Sequence, residues 1–226
     1  QRTEEKSWLR KNLTGHYWVF RIILLSLLIV FPPSLTFGIT IESGDFVDEI
    51  ERLKDLSFNN NTNLYVAPTI SDLSDFFALA TSLSSGNLIT AETQANALDY
   101  ELVQFTDTVT NDVFHGLREQ LDQNSQQTRG WGSFFINLSY AANALIEMPH
   151  PRFDTNSWDI GAKIFRQSKA RAALMAGAHR NTNGQGTADV AHLSNSVFHE
   201  VHKAWNGINA EITAWQIHGF NGANHP

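Results

Sequence analysis

The chain has 226 residues, 42% of them hydrophobic, enough for one substantial domain beyond a separable amino-terminal segment. A formal charge of −7 and a pI near 5.7 come without a dense Lys/Arg cluster, which leaves no electrostatic footprint for nucleic acid. Cysteine is absent, which excludes disulfides, thiolate nucleophiles and Cys-based zinc fingers; any metal must sit on His, carboxylate or water.

Arg10 and Lys11, then His16 to Arg21, precede the ten-residue apolar run Ile22 to Phe31, and Pro32-Pro33 with small residues up to Gly38 follow. Basic, apolar and small-residue zones in that order predict a signal peptide over residues 1–38, with Ser34/Thr36 or Thr36/Gly38 as the pair before cleavage. The apolar run is about half of the ~20 residues that span a bilayer. Tyr17 to Phe20 can extend it into an uncleaved membrane anchor. The expected location is therefore secreted or periplasmic, with anchoring through this segment as the variant. The chain opens with Gln and stops eight residues past His218, so a fragment truncated at the carboxyl terminus is part of the expectation.

Residues 39–98 read as a helical extension. Phe46, Val47, Ile50 and Leu53 recur at helical spacing between Glu42 and Leu56, and the Asn59 to Asn63 run reads as a loop. A second helix is expected from Ile70 to Leu83, with Leu73, Phe76, Phe77, Ala80 and Leu83 on its stripe and Thr69 or Ser71 as cap.

Residues 99–226 read as a hydrolase-like α/β domain. Runs at Tyr100 to Phe105, Val113 to Arg118, Ser133 to Leu138 and Ala144 to Met148 look like successive strands, with hairpin-type connections early on. A helix capped by Asn156 or Ser157 and burying Trp158, Ala162 and Phe165 leads to a strand ending at Ala176. A Ser194-capped helix carrying Val197, Val201, Ala204 and Trp205 then leads into the strand Thr213 to Ile217. The expected fold class is α/β, a mixed and mostly parallel sheet with flanking helices.

Three of these strands run directly into a histidine: His150, His179 and His218. Parallel strands bring all three imidazoles to one carboxyl edge, where open α/β sheets place their ligand sites. Seven of the nine histidines lie between His150 and His225, which points the search for chemistry to this half of the chain.

Pro149-His150-Pro-Arg-Phe-Asp154 lies between a strand end and a helix start. A loop there can fold a nitrogen and an oxygen donor around one ion, and His218 completes three protein ligands with a position left for water, the pattern of a catalytic zinc site. The competing reading is that His150 and Asp154 only cap the turn. A second cluster is Gly177-Ala-His179-Arg180 and Ala188-Asp189-Val-Ala-His192. Arg180 offers a fork of donors to a substrate carboxylate or an oxyanion, and His179 or His192 can relay protons, held by Asp189. The structural alternative is an Arg180–Asp189 ion pair that pins the loop.

Phe198-His-Glu-Val-His202 has its histidines three apart, so it departs from the zincin pattern. His199 and Glu200 are expected to face solvent, whereas His202 reaches the site edge or packs beneath it. Trp131 either walls a pocket or packs.

Pro149-His150 through Phe153-Asp154 to Trp158-Asp-Ile-Gly161, with Gln216-Ile-His218-Gly-Phe220, resembles the poly-gamma-glutamate hydrolase branch of the zinc-carboxypeptidase-like superfamily. The resemblance implies that His150, Asp154 and His218 are metal ligands in a mixed-sheet α/β hydrolase acting on amide or peptide bonds. Asp154 stands one position short of the family's glutamate, and no general-base glutamate on a late strand can be matched.

The expected function is an exported zinc-dependent hydrolase of a small-molecule or peptide substrate, with Arg180 binding an anionic group and His179, Asp189, His192 and His202 assisting. One alternative is an exported metal- or anion-binding protein without catalysis. The other is a serine α/β-hydrolase, since His218-Gly-Phe-Asn-Gly222 also resembles an oxyanion loop, although a Gly-x-Ser-x-Gly elbow is missing from the sequence.

Overall fold

Apolar side chains that point alternately up and down along buried strands need cover on both faces, and the chain supplies it with helices. A computed structural model describes residues 38–207 and 211–219. The elements run β1 (Thr40–Gly44), α1 (Phe46–Leu56), α2 (Ile70–Ser84), α3 (Leu88–Ala97), β2 (Tyr100–Asp107), β3 (Val113–Glu119), β4 (Ser133–Ile136), β5 (Ala142–Met148), α4 (Ser157–Ser168), β6 (Ala170–Met175), α5 (Val197–Asn206) and β7 (Thr213–Gln216).

The seven strands form one sheet in the order β1-β2-β3-β4-β6-β5-β7. On β4, Phe134 and Ile136 join one core with Leu174 of β6 and with residues of α2, α3 and α5; Phe135 joins the other with Met175 of β6 and with α1 and α4. The sheet is therefore the middle of three layers. Phe46 of α1 anchors the second core, its ring within 4.9–5.2 Å of Phe114, Phe135 and Phe165.

The mixed α/β sheet with flanking helices matches the expectation, but the sheet is not mostly parallel. β1 pairs parallel with β2, and β5 pairs parallel with β6 and β7. The other three pairings, β2–β3, β3–β4 and β4–β6, are antiparallel. The physical reason is connection length. A tight turn from β2 to β3 can only reverse the chain, whereas β5, α4 and β6 form a crossover long enough to keep direction.

Residues 39–98 contribute three helices and strand β1 to the same unit as the residues that follow. β1 and α3 were not legible as elements. β1 is an edge strand of half-buried and exposed residues, and α3 buries only Ala91 and Ala95, so neither carries a stripe of large apolar side chains. Four helix starts are capped by side chains: Asp45 accepts from the Val47 N–H, Thr69 and Asp72 form a capping box, Asn87 accepts from the Thr90 N–H, and Ser196 accepts from the His199 N–H. Ser196 thus replaces the expected Ser194 as the cap of α5. Trp131 is packed away, its indole N–H donating to the Val66 carbonyl at 2.6 Å and the Arg129 guanidinium lying over its ring.

The signal or anchor expectation for residues 1–38 falls outside the described residues apart from Gly38, and the Phe220 to Gly222 part of the oxyanion-loop reading does too. Among the described residues no helix is long and apolar enough to cross a membrane.

Candidate metal centre

β5, β6 and β7 are parallel, so His150, His179 and His218 follow their carboxyl ends on one rim of the sheet. In register, Glu147 pairs with Gln216, which puts His150 and His218 side by side just past the last paired residues. Their ring centroids are 5.0 Å apart.

The loop after β5 folds Asp154 back onto this pair. The His150 carbonyl accepts the backbone N–H of Phe153 at 3.1 Å and of Asp154 at 2.9 Å, a single tight turn. Asn156 then takes a left-handed conformation at φ 60° before α4 begins. Asp154 Oδ2 consequently lies 3.3 Å from His150 Nδ1 and 3.0 Å from His218 Nδ1. Gly219 passes so close that a Cβ there would stand 3.2 Å from Asp154 Cβ, which accounts for a glycine directly after His218.

His150, Asp154 and His218 each offer one ligand atom, all within 4.8 Å of one another. Ligand bonds of 2.0–2.2 Å at tetrahedral angles separate donor atoms by about 3.4 Å. The two Asp154 contacts are close to that spacing. His150 and Asp154 are buried, at 1% and 6% exposure, whereas His218 lies at the surface and gives the site its opening.

The opposite nitrogen of His150 is held as well. Its Nε2 lies 2.8 Å from Asp189 Oδ1, so both ring nitrogens face a carboxylate. A neutral imidazole has one N–H to give. The second contact is satisfied by a second proton or by a cation, and a cation at Nδ1 leaves Nε2–H donating to Asp189. A carboxylate behind the far nitrogen of a histidine is the arrangement that fixes tautomer and ring orientation at metal sites.

Asp189 is itself pinned. It pairs with Arg180 through Oδ2 and lies 3.1 Å from His192 Nδ1 through Oδ1. Burial raises its pKa, but the hydrogen bonds of His150 and His192 and the positive field of His150 and Arg180 outweigh burial and hold it below the usual carboxylate range. The loop that carries Asp189 turns at Gly184 and Gly186, both at positive φ. It is tied down by Asn183, whose side chain bonds the Tyr65 backbone N–H and carbonyl at 3.1 and 2.6 Å.

The remaining expected residues divide. Arg180 and His192 meet at Asp189, with His192 largely exposed. Arg180 also lies over the exposed Phe153 ring, 5.1 Å from its centroid. His179 does not touch Asp189. Its ring packs against Phe153 and its Nδ1 accepts the Asn181 N–H at 3.1 Å, which leaves the proton on Nε2. Burial first, then the positive charges of Arg180, His150 and Arg152, lower its pKa, so the ring is a neutral donor. His202 packs beneath the rim, its Nδ1 2.6 Å from Glu147 Oε1. That hydrogen bond, against burial, raises the His202 pKa. Glu200, expected to face solvent, is 8% exposed and pairs with Lys203, and His199 is half-buried.

Sequence reasoning did not single out Glu147 or Gln216. Glu147 is fully buried on β5, and Gln216 donates to its Oε2 at 3.0 Å. The signal was present: Glu147 is the lone charged residue of β5, and Gln216 ends a strand two residues before a candidate ligand histidine. Comparison with protein-family models, curated proteins and solved structures finds no match to this chain.

Proposed function

We propose that the protein is a zinc-dependent hydrolase of amide or peptide bonds, with His150, Asp154 and His218 as the metal ligands. The observation that carries the reading is the convergence of two imidazole nitrogens on one buried carboxylate oxygen at 3.3 and 3.0 Å, with the far nitrogen of His150 already held by Asp189. Nitrogen and carboxylate oxygen donors suit zinc, and three protein ligands match its catalytic sites. Zinc supplies Lewis acidity to a carbonyl and acidifies water.

The chain's own residues do the rest. Asp189 orients His150, and Arg180 and His192 hold Asp189. The Arg180 guanidinium makes one hydrogen bond among the described residues, through one terminal nitrogen, so the rest of its fork remains to bind an anionic group on the substrate. His179 contributes a neutral Nε2–H donor from the same rim. Export is the part of the reading that rests on the basic, apolar and small-residue order of the amino-terminal sequence.

The test is metal analysis followed by turnover. Zinc at about one equivalent, lost in both His150→Ala and His218→Ala, together with cleavage of an anionic peptide or amide, supports the hydrolase. Tight zinc without turnover on amide, peptide and ester panels replaces it with a metal-binding protein. A metal-free protein labelled by a fluorophosphonate replaces it with a serine enzyme.

A further inference from the structure

Glu147 is the least expected side chain in the sheet. It is fully buried on β5, between Ile146 and Met148, and a buried carboxyl group costs stability unless it is fully partnered. A histidine–carboxylate pair in that position adds little over an apolar pair of the same size. Stability alone does not explain the residue.

Its partners lead to the candidate metal centre. His202 Nδ1 lies 2.6 Å from Glu147 Oε1, and Gln216 Nε2 donates to Glu147 Oε2 at 3.0 Å. Gln216 is the cross-strand neighbour of Glu147 in the β5–β7 register, so the contact is built into the sheet. The other end of the same amide, Gln216 Oε1, lies 3.3 Å from His218 Nε2.

The chemistry of the amide makes this chain directional. A carboxamide has one donor end and one acceptor end. Glu147 accepts hydrogen bonds, so it takes the NH2 end and leaves the oxygen for His218. An oxygen at Nε2 calls for N–H there, and Nδ1 is then the nitrogen left for a cation. Turned the other way, the amide would present N–H groups to Nε2 and push the ring proton onto Nδ1, where it competes with the metal. Glu147 therefore decides the tautomer of a ring it does not touch.

We propose that His202, Glu147 and Gln216 form a positioning chain that holds His218 with Nε2 protonated and Nδ1 available as a metal ligand. The inference rests on the proposed metal site and deepens it. His218 acquires an orienting partner equivalent in effect to Asp189 behind His150, but reached from the opposite side, through the sheet and α5. None of the three is a catalytic residue, since none touches the ligand position.

The experiment compares the wild-type chain with Gln216→Met and Glu147→Gln. Zinc affinity is read by chelator competition, and the ring protons of 15N-labelled histidine by NMR in the zinc-loaded protein. Gln216→Met removes the donor to the buried Glu147 Oε2, so its thermal midpoint should fall, and zinc affinity is read at a temperature where both variants are folded. Expected results are a His218 proton on Nε2 in the wild type, and zinc affinity lower by about 10- to 100-fold in both variants. Tight wild-type zinc with unchanged affinity in Gln216→Met, or a His218 proton found on Nδ1, overturns the positioning chain and leaves the metal site standing. Failure of the wild type to bind zinc overturns both.

Discussion

Replacing Asp189 by Asn tests the arrangement at its most connected point. The substitution keeps shape and volume but removes the charge, and it turns one of two acceptor atoms into a donor. Asp189 serves three groups: Oδ1 faces His150 at 2.8 Å and His192 at 3.1 Å, while Oδ2 takes Arg180. Whichever way the new amide settles, one end meets a donor with a donor. If Arg180 keeps the oxygen, His150 Nε2 faces an NH2 group and its proton moves to Nδ1, the nitrogen turned toward Asp154 and the candidate cation. A hydrogen bond to a charged group contributes about 1.5–3 kcal/mol, and loss of an orienting carboxylate behind a ligand histidine costs about 10- to 100-fold in metal affinity. At ~1.4 kcal/mol per decade, the two estimates agree. Chelator competition should therefore show zinc affinity falling by about 10- to 100-fold in Asp189→Asn, and unfolding of the metal-free protein should show a loss of about 1–3 kcal/mol. Zinc affinity within about twofold of wild type, in a protein that remains folded, would refute the claim that Asp189 sets the orientation of His150.

Arg180→Gln should raise KM for anionic substrates more than it lowers zinc content, because Arg180 reaches His150 only through Asp189; equal loss of both would make it a support for the loop alone. Arg118 should matter to stability rather than to the site. It is 5% exposed and bonds Glu42, Glu49 and Glu101, and Arg118→Met would leave the buried Glu49 carboxylate to Arg52 alone while the other two rehydrate. Urea unfolding should show a loss of about 1–3 kcal/mol, and a change below about 1 kcal/mol would mean that water replaces the arginine. At alkaline pH, burial pushes the Tyr65 phenol up to about 12. The unfolded chain releases that proton near pH 10 and the folded one near 12, so between them the unfolded state binds fewer protons and stability falls by about 1.4 kcal/mol per pH unit. Tyr65→Phe should remove that share of the loss in urea titrations at pH 9 and pH 11.5, whereas an unchanged slope would assign the whole effect to other groups such as the buried Tyr100.

The rim of the sheet was legible because it follows from strand ends. Ala144 to Met148, Arg171 to Ala176 and Thr213 to Ile217 are read as strands from short apolar runs, and a parallel register alone brings the histidines after them to one edge. The Asp154 placement was accessible for the same reason: four residues after His150, itself just past a strand end, a tight turn returns the chain over the residue that began it. The antiparallel half of the sheet was less legible, because strand direction depends on which strands become neighbours. β4 lies against β6 rather than β5, and nothing local to Ser133 to Ile136 announces that choice.

What escaped the sequence is which way side chains turn once loops and faces are covered. Asp189 was read as holding His179 or His192, and it meets His192 at 3.1 Å; the His179 ring packs against Phe153 instead, and Asp189 also reaches His150, 39 residues away in sequence. Glu200 was read as solvent-facing from a single apolar stripe. α5, however, packs against both α2 and the sheet and buries Val197, Phe198, Glu200, Val201, Ala204 and Trp205, far more than one stripe. Glu147 and Gln216 are the instructive omissions, since their signal lay in the sequence. A charged residue in the middle of an apolar strand either disqualifies the strand or marks a polar contact worth its desolvation cost. Here β5 is a strand, so the second branch applies, and the position three residues before His150 and in register with Gln216 directs that contact to the candidate ligand histidine after the neighbouring strand.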